Sequence, residues 1–129
     1  MRLQQAIDRV DEMRPNMQSR ELKVIWLSEL DGLIWRELIE KHHLKPGEEI
    51  RLCSMPEYDT DTDPGQKLLV PAPYDNMYLY WLMSKIDEQT MEQEKFNNDR
   101  AMWNASWESF SDYWTRNHMP KTRVRELRL

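Results

Sequence analysis

Apolar residues recur at helical spacing through the first forty positions of the chain. Residues 3–13 place apolar side chains three and four positions apart, which predicts a short amphipathic helix. This first stripe consists of Leu3, Ala6, Ile7 and Val10. A longer helix is predicted over residues 20–41, with Ser19 as its N-cap. Its buried stripe is predicted to consist of Leu22, Ile25, Trp26, Leu30, Leu33, Ile34 and Leu38.

The pattern changes between residues 43 and 72. Residues 48–52 and 67–70 alternate apolar with polar side chains, as half-buried strands do. Between them, residues 56–65 are rich in Asp, Thr and Pro, which indicates a loop. We therefore expect a small β-hairpin with an irregular acidic tip. An isolated hairpin is marginally stable, so this one has to lean on the helices or on a partner.

Helical spacing returns after residue 73 and continues almost to the end of the chain. The buried face of the third helix is predicted to consist of Leu79, Leu82, Met83 and Ile86. A fourth helix carries an aromatic stripe with seven-residue spacing, made of Phe96, Trp103, Trp107, Phe110 and Trp114. Asn117 and Pro120 end it. Neither Gly nor Pro interrupts residues 89–93, so one long helix and two separate helices both remain open.

These elements predict a mostly α fold, a bundle of about four helices. A small hairpin or irregular acidic loop, residues 43–72, is inserted between helices 2 and 3. Residues 1–120 form the single domain, and residues 121–129 form a basic C-terminal tail. Trp35 lies beside the apolar stripe of its helix, and we therefore expect it to be exposed and to contact a partner.

Charge separates the tail from the body. The chain has a net charge of −5, and residues 121–129 hold four basic side chains and one acidic one. The other 120 residues therefore carry −8, which disfavours general binding to a phosphate backbone. A frayed terminus is one interpretation of the tail. The other is a segment that orders against an acidic groove of a partner, through Lys121, Arg123, Val124, Arg125, Leu127 and Arg128.

Candidate chemistry is sparse. Residues 59–63 place three aspartates at alternate positions, as a calcium loop begins, but Pro64 and Val70 stand where that loop needs Gly and Glu. His42, His43, His118 and Cys53 lack the paired spacing of a zinc site. The chain has no nucleophile motif and no Gly-rich phosphate loop. We expect no catalytic residues, no metal, no cofactor and no membrane span.

Five stretches of the sequence form a recognisable set, namely residues 26–32 (WLSELDG), 68–75 (LLVPAPYD), 78–82 (YLYWL), 96–98 (FNN) and 114–120 (WTRNHMP). Together they resemble small virion-module proteins of tailed phages and prophages from Gram-positive bacteria. In that group an LLVPAPYD stretch opens one helix and a Tyr-Asn-Asn cluster opens the next, and Phe96 replaces the Tyr here. The likeness spans most of the chain, although none of these strings is a catalytic motif.

The group looks like head–tail connector, or adaptor, proteins. This resemblance implies a non-enzymatic subunit that is assembled in the bacterial host cytoplasm and ends in the virion neck. Copies would form a twelvefold ring under the portal protein, with the tail docked on the portal. The ring would contact other neck or tail proteins and extend the channel through which DNA passes without specific binding.

Other functions stay open at this point. The chain could instead be a tail-completion or stopper protein of the same neck, which the sequence does not separate from an adaptor. From a different class, it could be a DNA-associated packaging or regulatory protein that uses its basic tail. An enzyme built on scattered carboxylates has the least support, because carboxylates on exposed helix faces are usually solvated.

Overall fold

The four stretches of helical spacing form four α-helices. The computed structural model describes residues 1–48 and 50–121, and for residues 50 and 51 the backbone alone. The helices are α1 (Leu3–Met13), α2 (Arg20–Ile34), α3 (Met77–Thr90) and α4 (Gln93–Asn117). The protein is thus a mainly α-helical bundle, as the periodicity predicts.

The first turn of helix α1 is hydrogen-bonded to the segment that precedes α3. The first N–H groups of any α-helix lack partners inside the helix. Here Leu3 N donates to Gln66 O at 2.9 Å, and Gln4 N donates to Pro64 O at 3.0 Å. All four residues of its predicted stripe are buried. The middle of the chain therefore fixes where α1 starts.

Helix α2 begins as predicted, with the Ser19 hydroxyl accepting from Leu22 N at 3.2 Å. Its end differs from the prediction of a regular helix to residue 41. The α-helix stops at Ile34 and continues as one π turn over Trp35–Ile39, in which Glu40 N donates to Trp35 O at 2.7 Å. A π turn accommodates one extra residue and changes which side chains share a face.

The buried face of α2 is rotated from the predicted stripe. Ile25 and Leu33 were expected in the core but are 49% and 42% exposed. Two charged residues, Lys23 and Asp31, are buried instead. Lys23 Nζ donates to Asp11 Oδ1 at 2.6 Å, so its charge is paired. Buried charges of this kind persist only with such partners, and they determine which side of α2 faces inward.

The hairpin predicted within residues 43–72 is wrong. The described part of the chain has no β-strand, and Ile50–Cys53 forms a 3₁₀ turn where a strand was expected. The second predicted strand contributes only an isolated bridge between Arg2 and Lys67. Its side chains do not alternate, because Leu68, Leu69 and Val70 are all buried. The irregular acidic loop of the prediction is present at residues 56–66.

A buried carboxylate holds this strandless segment to the helices. Asp31 is fully buried and accepts from the Tyr58 hydroxyl at 2.5 Å, the Tyr78 hydroxyl at 2.6 Å and Leu69 N at 3.1 Å. The Tyr78 oxygen in turn accepts from Val70 N at 2.8 Å. Burial, with the nearby charge of Asp31, raises the pKa of Tyr78 well above its usual value. Tyr78 therefore remains an O–H donor.

Helices α3 and α4 are separate and pack side by side. Met91 ends α3 in the left-handed conformation (φ 61°), a position that usually takes Gly. Trp103 packs against Trp81 of α3 with ring centroids 5.4 Å apart, and against Trp107 at 6.1 Å. Phe110 and Trp114 extend the aromatic contacts along α4. The stripe predicted on the fourth helix therefore faces the third, with Phe96 and Trp107 only partly buried.

Replacing Tyr78 by Phe tests the Asp31 network. The change removes one donor to Asp31 and leaves Val70 N–H without its acceptor inside the core. We expect the free energy of unfolding to fall by about 2–4 kcal/mol. Urea unfolding followed by circular dichroism measures this, with Tyr80→Phe, a partly buried tyrosine of the same helix, as control. Equal losses in both variants would contradict a special role for Tyr78.

Candidate functional site

The last described residues of the chain lie against the end of the extended second helix. His43 N donates to Met119 O at 2.8 Å, and Lys121 N donates to Lys41 O at 2.9 Å. These bonds flank an isolated antiparallel bridge between His42 and Pro120. The start of the basic tail is therefore held by backbone hydrogen bonds to the residues that follow α2.

A pocket of about 280 Å³ lies beside this exit point, which we call the tail-base pocket. Trp35 and Lys121, two of the residues predicted to bind a partner, both line it. Glu40 and Cys53 contribute to its wall. The structure thus brings together two candidates that are 86 positions apart in the sequence. Indole, carboxylate and ammonium groups at one rim suit contact with a protein surface.

Trp35 is less exposed than we expected. It is partly buried against the core, and its indole Nε1 donates to Leu52 O at 3.0 Å. That bond ties the 3₁₀ turn at Ile50–Cys53 to the π turn. Part of the indole still faces the tail-base pocket, so a contact with a partner there would use only that part.

The remaining tail candidates fall in a part of the chain that the structure does not describe. Arg123, Val124, Arg125, Leu127 and Arg128 all lie outside the described residues. Their role in binding a partner therefore stays a prediction. Lys121, the last described residue before them, has a known place on the bundle, because its N–H is bonded to Lys41 O.

Two histidines stabilise helix ends. His42 Nδ1 lies 2.7 Å from Leu38 O, and the His118 ring stacks on Trp114 with centroids 3.7 Å apart. His118 also contacts Trp114 O through Nδ1 (2.9 Å) and Glu48 Oε1 through Nε2 (2.7 Å). Both of these imidazole rings are buried.

The aspartates of the acidic loop bond to the loop itself. Asp59 Oδ1 accepts from Asp61 N at 2.9 Å, and Asp63 Oδ1 accepts from Gly65 N at 2.8 Å. These are Asx turns, in which the carboxylate shapes its own backbone. Among residues 1–48 and 50–121, no group of three or more His, Cys, Asp or Glu side chains is arranged to hold a metal ion.

Two buried carboxyl groups lie at the opposite end of the bundle, near the end of α3 and the start of α4. No pattern in the sequence singles them out. Arg14, just after α1, donates through Nη1 to Asp87 Oδ1 and to Asp99 Oδ2, the latter at 3.1 Å. The hydrogen bond that Arg14 donates to Asp87 raises the pKa of Arg14. Burial, followed by the hydrogen bond with Asp87, raises the pKa of Asp99 to about 6, although Arg14 opposes this.

The Asp87–Asp99 pair is buried between α3 and α4. Asp87 and Asp99 are only 1% and 3% exposed, so a substrate has little access to their carboxyl groups. Asp87 Oδ2 is buried without another partner among the described groups, and a proton carried by Asp99 would give it one. Below about pH 6, a proton on Asp99 and the charge of Arg14 would together neutralise these two carboxyl groups, one on α3 and one on α4.

No protein-family model, curated protein or solved structure matches the chain. Within the described ranges, no helix has both the length and the apolar character that crossing a bilayer requires.

Replacing Asp99 by Asn tests the shared proton. The pKa of Asp99 is raised in the folded state, so its proton stabilises the fold below about pH 4, and this contribution is lost as the pH rises through about 6. Between pH 4 and pH 7, we expect the loss of this proton to lower the free energy of unfolding of the native chain by about 1–3 kcal/mol. Asn cannot titrate, so the variant should lack it.

Urea unfolding at half-unit steps of pH measures this decrease. Asp112→Asn, at an exposed position of the same helix, is the matched control and should keep the decrease. A native chain and an Asp99→Asn variant with the same pH dependence would rule out the shared proton.

Proposed function

We propose that the chain is a structural head–tail connector subunit of a tailed phage or prophage. Copies form a ring under the portal protein and extend the channel that DNA passes through. The observation that carries this proposal is the anchored tail. Lys121 is held on Lys41 beside Trp35, so the basic segment starts from a defined place on an acidic helical body.

The exposed apolar side chains of the bundle support an assembly function. Ile25, Leu33, Met55 and Met102 are between 37% and 49% exposed, and Met17 is 98% exposed. Single exposed apolar residues are ordinary, but Ile25 of α2 and Met55 line the same depression, and such a cluster favours a contact with another protein. Contacts with neighbouring copies and with other neck proteins would cover such surfaces.

The charge distribution also supports this function. A body with a net charge of −8 repels a phosphate backbone, so DNA in an adjoining channel is not gripped. The tail, at +3, has the sign needed for an acidic surface on a protein partner. Asp87 and Asp99 are buried and paired with Arg14, so their carboxyl groups offer little access to a substrate. We therefore propose a protein without enzymatic activity, located in the virion neck.

Binding to the portal protein from the same genome tests the proposal. Cryo-electron microscopy of the mixture should show a ring of added helical density under the portal. Replacing Arg123, Arg125 and Arg128 together by Ser should weaken ring formation at least about tenfold, because three charged contacts are lost. A variant with Arg9, Lys45 and Lys95 replaced by Ser carries the same charge change at exposed positions of the body and should bind normally.

Bare portals in the presence of the native chain would overturn the adaptor function. Equal losses in the two triple variants would instead show that binding depends on net charge alone, and would contradict a specific docking function of the tail.

A further inference from the structure

Two cations lie on one tryptophan between the third and fourth helices. Lys85 Nζ is 4.8 Å from the centroid of the Trp81 ring, and the guanidinium carbon of Arg100 is 5.3 Å from the same centroid. Arg100 also lies over Trp103, at 5.4 Å. The Trp81 indole is itself fixed, because its Nε1 donates to Trp26 O at 3.0 Å. The aromatic rings therefore hold Lys85 and Arg100, which we call the cationic site, in defined positions.

Neither cation of this site has a carboxylate partner in the described part of the chain. Lys85 and Arg100 are both partly buried, yet neither side chain forms an ion pair or a hydrogen bond with a described residue. Glu88, one turn after Lys85, is exposed and not paired with it, and the buried Asp87–Asp99 pair is bonded to another arginine. A partly desolvated cation without a counter-ion is unfavourable, and a carboxylate from outside the chain offsets that cost.

The acidic loop at residues 56–66 presents carboxylates that are available to such a site. Asp59, Asp61 and Asp63 are exposed, and the Asx turns use only one oxygen of Asp59 and one of Asp63. The Asp61 carboxylate has no hydrogen-bond partner among the described residues. Since these turns already fix the loop, little conformational entropy is lost when it binds a partner.

Basic residues beside this loop reduce its charge without reversing it. Arg2 Nη1 donates to Gly65 O at 2.5 Å, and Lys67 follows the loop directly. Against these two cations stand four carboxylates, of which Glu57 is the fourth, so the net charge is −2. The loop therefore keeps the sign that the cationic site requires.

The acidic loop and the cationic site lie at opposite ends of the first helix. The first turn of α1 is hydrogen-bonded to residues 64 and 66 of the loop. Arg14, directly after α1, is bonded to Asp99, the residue before Arg100. The length of α1 separates the two features by about 16 Å along the helix axis. The fixed loop therefore does not reach the cationic site of its own chain, whereas a second copy placed end to end brings the two together.

We infer that the acidic loop of one copy binds the cationic site of the next. Asp61, with Asp59 and Asp63 beside it, pairs with Lys85 and Arg100 across the contact. Each copy has one surface of each kind, so the contact is heterologous, and such contacts close into rings or extend into open chains. The contact deepens the proposed function and rests on it, because a ring of connector subunits requires neighbouring copies to bind each other in this head-to-tail manner.

Analytical ultracentrifugation of the full chain at low salt tests this contact. We expect the average mass to rise with protein concentration and to return to that of one chain at about 0.5 M salt, where paired exposed charges are screened. Replacing Lys85 and Arg100 together by Gln should weaken association at least about tenfold. Replacing Asp59, Asp61 and Asp63 together by Asn should do the same, and Asn keeps the Asx turns because its side-chain oxygen accepts the same bonds.

A mixture of these two variants gives the sharpest result. The Gln variant keeps its acidic loop and the Asn variant keeps its cationic site, so the equimolar mixture should form a complex of two chains and none larger. The matched control replaces Lys95 and Arg116, exposed on α4, by Gln and should associate as the native chain does. A mixture that does not associate, a native chain with the mass of one chain at every concentration, or an equal loss in the control would overturn the inference.

The portal mixture described above distinguishes a failure of this contact from a failure of the proposed function. Native chain that self-associates through the two surfaces but leaves portals bare would overturn the connector function and leave the contact standing. A ring under the portal that forms as readily from the Gln variant as from the native chain would overturn the contact and leave the connector function standing.

Discussion

The arrangement of the bundle depends on the burial of one carboxylate. Asp31 lies inside α2 and gathers hydrogen bonds from Tyr58, Tyr78 and the backbone of Leu69. A buried charge is tolerated only when it is fully hydrogen-bonded, so the folded core needs each of these groups in its place. The requirement fixes the rotation of α2, and it attaches residues 58 and 69, from a segment whose described residues form no β-strand, to two helices. The exposure of Ile25 and Leu33 follows from the same rotation.

The helices could be predicted because their stabilising contacts are periodic and mostly local. The stripes of α1 and α3 are buried as the spacing predicts, and the aromatic residues of α4 face α3. The hairpin failed because the partners of Asp31 are 27 to 47 positions away, and alternation within a few residues carries no information about them. The turn at Met91 had no signal either, because a methionine occupies a left-handed position that glycine usually marks.

The candidate site was accessible to prediction only in part. The composition of the tail and the off-stripe position of Trp35 singled out residues that meet in the tail-base pocket, yet nothing in the sequence places Lys121 against Lys41. The bond from Trp35 to Leu52 depends on a π turn, which has no recognised residue signature here. The Asp87–Asp99 pair stayed hidden because carboxylates twelve positions apart, on two helices, become neighbours only once the chain reverses at residue 91.

The backbone bridge at the tail exit has a mechanical consequence. A load applied beyond Lys121 reaches the bonds to Lys41 and His43 before it reaches the last turn of α4. Part of the tension therefore enters the second helix, whose other contacts run through Asp31 to α3 and the middle segment. The structure distributes a pull on its C-terminal segment over the core, where a tail attached to α4 alone would peel that helix from its end.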